Sequence, residues 1–279
     1  MNDESAEAGF AAAALPNFWE FEAPRSWRRI DFISDLHLAD DHPLTFRAFA
    51  DHLHHTPADA VFILGDLFDL WIGDDSRDGV FEARCVEVIA EASAHRSIAF
   101  MAGNRDFLVG DQMLKACGAM ALVDPAVLIA FDQRILLSHG DALCLDDEPY
   151  QRFRSEVRSA TWQSAFLALP MAQRRQQALA IRRQSEQRKQ MTSRLDWIDV
   201  DPASAVRWLH EAGAGVLVHG HTHCPGSEPL APGMLRHVLS DWELDDVDAP
   251  PRAQVLAWTD GQFARLPPSV ARKAGRLTR

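Results

Sequence analysis

The ten residues AVFILGDLFD, 60–69, decide the reading of this chain. Five consecutive apolar residues are too few for a stable helix and too uniformly apolar for a half-exposed strand. They predict a strand buried on both faces of a sheet. Gly65 lets the backbone turn sharply, and Asp66 follows at the carboxyl end of the strand, where ligand sites of α/β folds lie. The pattern repeats outward. Upstream, IDFISDLH (30–37) ends in Asp35 and His37; downstream, SIAFMAGNRD (97–106) ends in Asn104, Arg105 and Asp106. Between them an amphipathic stretch through Phe46 and Phe49 and another around Val80–Ala94 predict helices. This alternation is α/β. Further strands are expected in ALVDPAVLIAF (121–131), RILLSHGD (134–141), GVLVHGH (215–221), MLRHVLSDW (234–242) and AQVLAW (253–258). The first two of these read as a hairpin, so the sheets should be mixed.

Composition bounds the function. The chain has 279 residues, 47% of them apolar, which suffices for one large domain or two small ones. Asp and Glu number 40 against 28 Lys and Arg, a formal charge of -12 that argues against bulk binding to nucleic acid. Cys85, Cys117, Cys144 and Cys224 are widely spaced and form no CxxC pair, as expected of a reducing compartment. No apolar run approaches the ~18 residues of a membrane span, and the N-terminal MNDESAE is acidic where a secretory signal is basic. A cytoplasmic protein, soluble or peripheral to a membrane, is expected. Residues 1–27 read as an extension without fixed structure, and 266–279 as a tail. The core is expected over 28–149 and 195–265, interrupted at 150–194 by a helical insertion with one internal breaker, Pro170.

Five polar clusters stand at strand ends: Asp35-x-His37, Gly65-Asp66-x-x-Asp69, Gly103-Asn104-Arg105-Asp106, His139-Gly140-Asp141 and Gly220-His221-x-His223. A lone His or Asp is usually a cap or a packed residue, but five such clusters after five apolar strands are hard to reach by accident. Strand alternation is expected to put Asp35 with His37, and His221 with His223, on one side, so that each pair can share a metal. Carboxylate, amide and imidazole form a mixed oxygen and nitrogen set suited to Mn, Fe or Zn rather than a calcium cage or thiolate site. Two metals are the natural inference.

The same series, D-x-H, G-D-x-x-D/E, G-N-H/R-D/E, H-G and G-H-x-H, resembles the calcineurin-like metallophosphoesterases, over residues 30–265. The resemblance implies a four-layer αββα sandwich of mixed sheets with the helical insertion acting as a lid. It implies two metal ions, most simply Mn²⁺, held by Asp35, His37 and His223 on one side and by Asn104, His139 and His221 on the other, with Asp66 bridging. Longer blocks, GDLFDLWIGDD (65–75), GNRDFLVG (103–110), LSHGDALCLDDEPYQRFR (137–154), FLALP (166–170) and VHGHTHCP (218–225), resemble the branch of the family that hydrolyses UDP-2,3-diacylglucosamine in lipid A synthesis. Arg105 is its mark, because many relatives carry His there. This implies hydrolysis of a pyrophosphate bond to 2,3-diacylglucosamine 1-phosphate and UMP, by two-metal activation of water attacking the α-phosphorus. The implied catalytic residues are Asp66, Asn104, Arg105 and His221. Implied substrate contacts are Asn104, Arg105, Asp147, Ser185, Lys189, Thr192 and His221; at Lys189 and Thr192 the chain departs from the branch's amide and Lys. The implied partners are the glycolipid and the cytoplasmic face of the inner membrane.

The insertion has its own physical reading. Over 151–194 ten Lys and Arg face two Glu, a local charge of +8 that favours an anionic ligand or surface. Trp162, Phe166 and Leu169 form a helical apolar stripe that either covers acyl chains or packs on the core. Cys144 and Cys224 lie near His139 and His223, but seven other donors complete the site without them. Asp74, Asp75, Asp245 and Asp246 read as solvated loop carboxylates. A nucleotide or dinucleoside-polyphosphate hydrolase would share the five clusters without needing the insertion, and a non-catalytic protein-binding scaffold would not need the histidines.

Overall fold

The computed structural model describes residues 15–191 and 198–270, with the backbone alone for 184–191. Two six-stranded sheets pack face to face. One is built from β2 (Arg29–Ile33), β3 (Ala60–Leu64), β4 (Ser97–Met101), β5 (Met120–Leu122), β11 (Val255–Thr259) and β12 (Gln262–Leu266), in the order β12-β11-β2-β3-β4-β5. The other holds β1 (Trp19–Glu22), β6 (Ala126–Ala130), β7 (Gln133–Leu137), β8 (Val216–His219), β9 (Gly226–Ala231) and β10 (Met234–Val238), in the order β1-β6-β7-β8-β10-β9. Parallel and antiparallel pairs occur in both.

Strand periodicity builds the layers. Ile30, Phe32, Phe62, Leu64 and Met101 point inward and meet Leu128, Ile135, Leu137 and Val218 of the opposite sheet. Ile33, Val61, Ile63, Ile98 and Phe100 point outward under α1 (Pro43–His55), α2 (Val80–Ser93) and α3 (Asp111–Cys117). Val127, Leu136 and Leu217 face α7 (Pro202–Ala212) on the other side. The result is a four-layer αββα sandwich. Each fully buried aliphatic or aromatic side chain contributes about 1.5–3 kcal/mol, so β3, buried along its whole length, needs a helix on one side and a sheet on the other.

The helices start where local chemistry allows. α7 has Asp201 as N-cap, accepting from Ser204 N at 2.7 Å, Pro202 in its first turn, and left-handed Gly213 at its end. α1 lacks a cap of its own. Asp245, from the far end of the chain, accepts from the backbone N–H groups of Leu44 and Thr45 at 2.9 Å each.

Several sequence expectations need correction. The N-terminal segment is not without fixed structure throughout: β1 pairs in parallel with β6, and Ala23 and Trp27 are buried between the sheets. Its alternating Trp19-Glu-Phe21-Glu carries a strand pattern that the Ala- and Pro-rich surroundings obscure. ALVDPAVLIAF is two strands in different sheets, β5 and β6, because Pro125 lacks the N–H that continuous pairing needs. The insertion is three helices, α4 (Glu148–Val157), α5 (Ala160–Leu167) and α6 (Met171–Met191); besides Pro170, Ser159 breaks it by capping α5. β9 and β12 were not expected. Asp74, Asp75 and Asp245 are not merely solvated. Asp74 accepts from Gly110, Gln112 and Met113 N–H groups, capping α3, and Asp75 pairs with the buried Arg174 of α6. Among the described residues no helix is long and apolar enough to cross a membrane.

Beneath α1, the fully buried His52 accepts from Ser269 N–H at 3.1 Å through Nδ1, which leaves its Nε2 proton facing Asp31 at 3.5 Å. Burial pushes the imidazole down to about 4; Asp31 opposes the shift, while Arg29 and Arg96 add to it. The unfolded chain, with an ordinary histidine near 6.5, therefore binds the proton first as pH falls. This contribution is fully present above pH ~6.5 and is lost progressively towards pH 4, on the order of 3 kcal/mol. Denaturant melts across that window should show the loss, and His52→Gln should flatten it. An unchanged slope in the variant would remove His52 as its source.

Candidate metal centre

The five clusters converge at the carboxyl edge of β2, β3, β4, β7 and β8, in loops rather than in strands. β2 ends at Ile33, and Asp35 and His37 follow in left-handed backbone, φ 54° and 48°. Asp66, His221 and His223 are left-handed as well, at 53°, 67° and 53°. Non-glycine residues avoid this region at a cost of about 1–2 kcal/mol each, and five of the chain's eight described cases are in this one site. Strand alternation is therefore not what sets these side chains. The two histidines of G-H-x-H do not share one donor group, as alternation suggested: His223 turns towards Asp35 and His37, and His221 towards Asn104 and His139.

Backbone contacts hold the loops together. Asp35 N–H donates to Gly65 O at 3.1 Å and His37 N–H to Asp66 O at 3.0 Å, so the first two motifs run side by side. The Asp106 carboxylate accepts N–H groups of Gly103 and Leu67 at 2.8 Å each, and of Asp66 and Phe68 at 3.3 Å each, joining the second motif to the third. Two glycines are required by close approach. A Cβ on Gly103 would collide with the Asp66 carboxylate and amide, and one on Gly220 with Asp35 and Ser34.

Two donor groups result. Asp35, His37 and His223 form one, with His37 Nε2 3.3 Å from His223 Nε2 and His223 Nε2 3.4 Å from Asp35 Oδ1. Asp35, Asp66 and His139 form another. Asp35 is thus common to both, a role the sequence assigned to Asp66 alone. Asp66 also reaches both sides, its Oδ1 3.7 Å from His139 Nε2 and its Oδ2 4.0 Å from His37 Nδ1. Asn104 Oδ1 lies 3.0 Å from His139 Nε2 and 2.8 Å from His221 Nδ1, extending the second group. All seven sequence-chosen donors are in one place.

The charges fit divalent cations. Burial disfavours charge on Asp35, but His223, His139 and His37 outweigh it and hold this carboxyl well below the usual range. Burial pushes Asp66 up, and the Asp35 charge adds to the effect against His139 and Arg105. Two carboxylates buried together need positive charge between them. The imidazoles answer to that charge: His139 Nδ1 lies 2.9 Å from Leu64 O and donates to it, which turns Nε2 towards Asp66, and although burial works against it the Asp66, Asp35 and Asp141 charges push this imidazole up to about 9.

Other expected residues are less centrally placed. Arg105 donates its backbone N–H to Asp66 Oδ1 at 2.8 Å, and its guanidinium lies 3.8 Å from Asp69. Asp147 caps α4, accepting from Tyr150 N–H at 3.0 Å. The side chains of Ser185 and Lys189, and all of Thr192, lie outside the described residues. Asp69 also pairs with Arg182 of α6. Trp162 and Phe166 stack on each other at 4.7 Å and pack with Leu169 on the core, which favours the core-packing reading of that stripe. Among the described side chains, six of the insertion's basic residues are paired. Arg152, Arg154, Arg158, Arg174, Arg175 and Arg182 all pair with carboxylates outside 151–194.

The joining role of Asp106, the last residue of Gly103-Asn104-Arg105-Asp106, is not visible in the motif, because its partners come from the loop after β3. Sequence reasoning also missed Asp241, 3.8 Å from His223 Nδ1 and paired with Arg252, for which no local motif gives a signal. Asp66→Ala should cost both metal content and rate. Asp69→Ala should keep its metal and lose about 10- to 100-fold in rate, as expected of a group that orients others. Elemental analysis beside rates on bis(p-nitrophenyl) phosphate separates the two, and a metal-replete, fully active Asp66 variant would overturn the assignment.

Comparison with known proteins gives the family. The chain is 44% identical over 240 residues to the UDP-2,3-diacylglucosamine hydrolase of Chromobacterium violaceum, covering 85% of this chain and 98% of that protein. The proteins of the same name from Cellvibrio japonicus and Haemophilus influenzae are 42% and 39% identical, each over 76% of this chain and over 90% and 89% of their own lengths. The sequence pattern of calcineurin-like phosphoesterases matches residues 28–225, which span all five clusters. With its donors at the strand ends of an αββα sandwich, the chain belongs to the calcineurin-like phosphoesterase family.

Proposed function

We propose that this protein hydrolyses the pyrophosphate bond of UDP-2,3-diacylglucosamine, giving 2,3-diacylglucosamine 1-phosphate and UMP. The observation that carries the reading is the 44% identity to a hydrolase of that name over 98% of its length, a span that includes the helical insertion as well as the metal clusters. Asp35, His37, Asp66 and His223 would hold one divalent cation, and Asp66, Asn104, His139 and His221 the other. The mixed oxygen and nitrogen donors favour Mn²⁺ over Mg²⁺, which binds imidazole poorly. When bound, two such cations polarise an attacking water and neutralise charge on phosphoryl oxygens.

The chain's own residues supply the rest. Arg105 offers a planar fork of donors to a phosphoryl group, steadied by Asp69 behind it. His139, its Nδ1 held by Leu64 O, presents Nε2 to Asp66 and so to a cation bound beside it. The leaving group is a phosphate monoester, already a stable anion, so no strong general acid is required. Helices α4–α6 act as the lid, and Asp147, Ser185, Lys189 and Thr192 would contact the glycolipid. Leu167, Met171 and Ile181 are apolar yet 42%, 37% and 37% exposed on α5 and α6, which suits acyl chains at the cytoplasmic face of the inner membrane, where this reading places the protein as a peripheral enzyme.

Hydrolysis of UDP-2,3-diacylglucosamine, compared with the unacylated UDP-sugar and a dinucleoside polyphosphate, tests the substrate. The diacylated compound should be preferred, and a preference for the dinucleotide would turn the reading to a nucleotide hydrolase. EDTA should abolish turnover and Mn²⁺ should restore it better than Mg²⁺; full activity in excess EDTA would sink the two-metal chemistry. Leu167→Ser should lower kcat/KM for the diacylated substrate by about tenfold while sparing bis(p-nitrophenyl) phosphate. Equal losses on both substrates would remove α5 from lipid recognition.

A further inference from the structure

Helix α4 and its end carry Tyr150, Arg154 and Arg158 at i, i+4 and i+8, on one face, and all three reach a single carboxylate. Asp141, fully buried, accepts through Oδ2 from Tyr150 Oη at 2.6 Å, Arg154 Nε at 2.8 Å and Arg158 Nη2 at 3.4 Å. Two of these contacts continue into the metal centre. The Tyr150 ring lies over that of His221, with centroids 5.9 Å apart and planes 30° apart. Arg158 Nη2 donates to Gly103 O at 2.9 Å, at the turn that presents Asn104. His221 and Asn104 meet at 2.8 Å, so the two routes from Asp141 end on neighbouring donors.

A buried carboxylate is tolerated only when paired, and here the pairing spans the insertion and two motif loops. Neither His221 nor Asn104 belongs to a regular element: β8 ends at His219 and β4 at Met101. His221 further sits in left-handed backbone. Loops of this kind keep their side chains in place through contacts from outside; Asp106 holds the Gly103 N–H and Asp35 the His221 N–H, and α4 adds the contacts to the His221 ring and the Gly103 carbonyl.

We infer that Asp141 is a positioning residue, which through Tyr150 holds the His221 ring and through Arg158 holds the Gly103–Asn104 turn at the spacing a cation requires. The inference rests on reading Asn104 and His221 as cation donors. It predicts that cutting the Asp141 contacts weakens one of two cation sites even when the fold is intact.

The test is calorimetric titration of the metal-free, full-length protein with Mn²⁺, alongside thermal melting. Tyr150→Phe removes one hydroxyl and leaves the ring, so it tests the idea even where Asp141→Asn folds poorly. One Mn²⁺ Kd should rise about 10-fold in Tyr150→Phe and up to about 100-fold in Asp141→Asn, with the other unmoved. The double variant should be no worse than Asp141→Asn alone, because both cut the same route. Folded variants that bind two Mn²⁺ as tightly as the parent, with only the melting temperature lowered, would make the hub purely structural and overturn the inference. Losses that multiply in the double variant would overturn the shared route. A parent that binds two Mn²⁺ but leaves UDP-2,3-diacylglucosamine intact would remove the substrate reading alone.

Discussion

One buried carboxylate sets the metal centre. Asp106 accepts four backbone N–H groups, one from Gly103 and three from the Asp66–Phe68 turn, and thereby fixes the separation of the loops after β3 and β4. Asp66 and Asn104 take their places from that separation. The loop after β2 is then laid against the Asp66 turn through its own backbone, and His139 is oriented by the Leu64 carbonyl at the end of β3. Each step uses hydrogen bonds that the strand ends would otherwise leave unmade, so satisfying the backbone and aiming the side chains are one operation.

The same arrangement stores strain and charge. Five left-handed non-glycine residues and two carboxylates in close reach would each be unfavourable alone. They are tolerated because the sandwich beneath is close-packed and over-determines the loops. A site of this kind is poised for cations: binding them relieves the repulsion between Asp35 and Asp66 and uses the imidazole nitrogens already directed inward.

The insertion is joined to the core by ion pairs as much as by apolar contact. Arg154 and Arg158 meet Asp141, Arg174 meets Asp75 and Arg182 meets Asp69, while Trp162, Phe166 and Leu169 pack on the core cluster that also includes Trp71. Much of a charge contrast that suggests an anionic partner in the sequence is thus consumed at an internal interface. Outward on α5 and α6, Leu167, Met171 and Ile181 stand exposed among polar residues such as Gln173, Arg175, Gln176 and Arg183.

The sandwich was legible in the sequence because it depends on local signals, apolar runs of strand length and helical stripes such as Phe46 and Phe49, and polar clusters at strand ends pointed to a metal site whose seven donors the family resemblance implied. β1 and β9 were not legible, since one is a short edge strand in an Ala- and Pro-rich setting and the other contains Pro229 and gains its pairing from β10. Strand alternation by itself pairs the donors differently from the family resemblance, which already put His221 and His223 in separate groups. Two residues apart in the chain, His221 and His223 face different partners because left-handed turns, not strand alternation, direct them. The roles of Asp106, Asp141 and Asp241 depend on contacts between residues 13 to 39 apart in the chain, and a buried carboxylate acquires its function only from the donors that the folded chain brings to it.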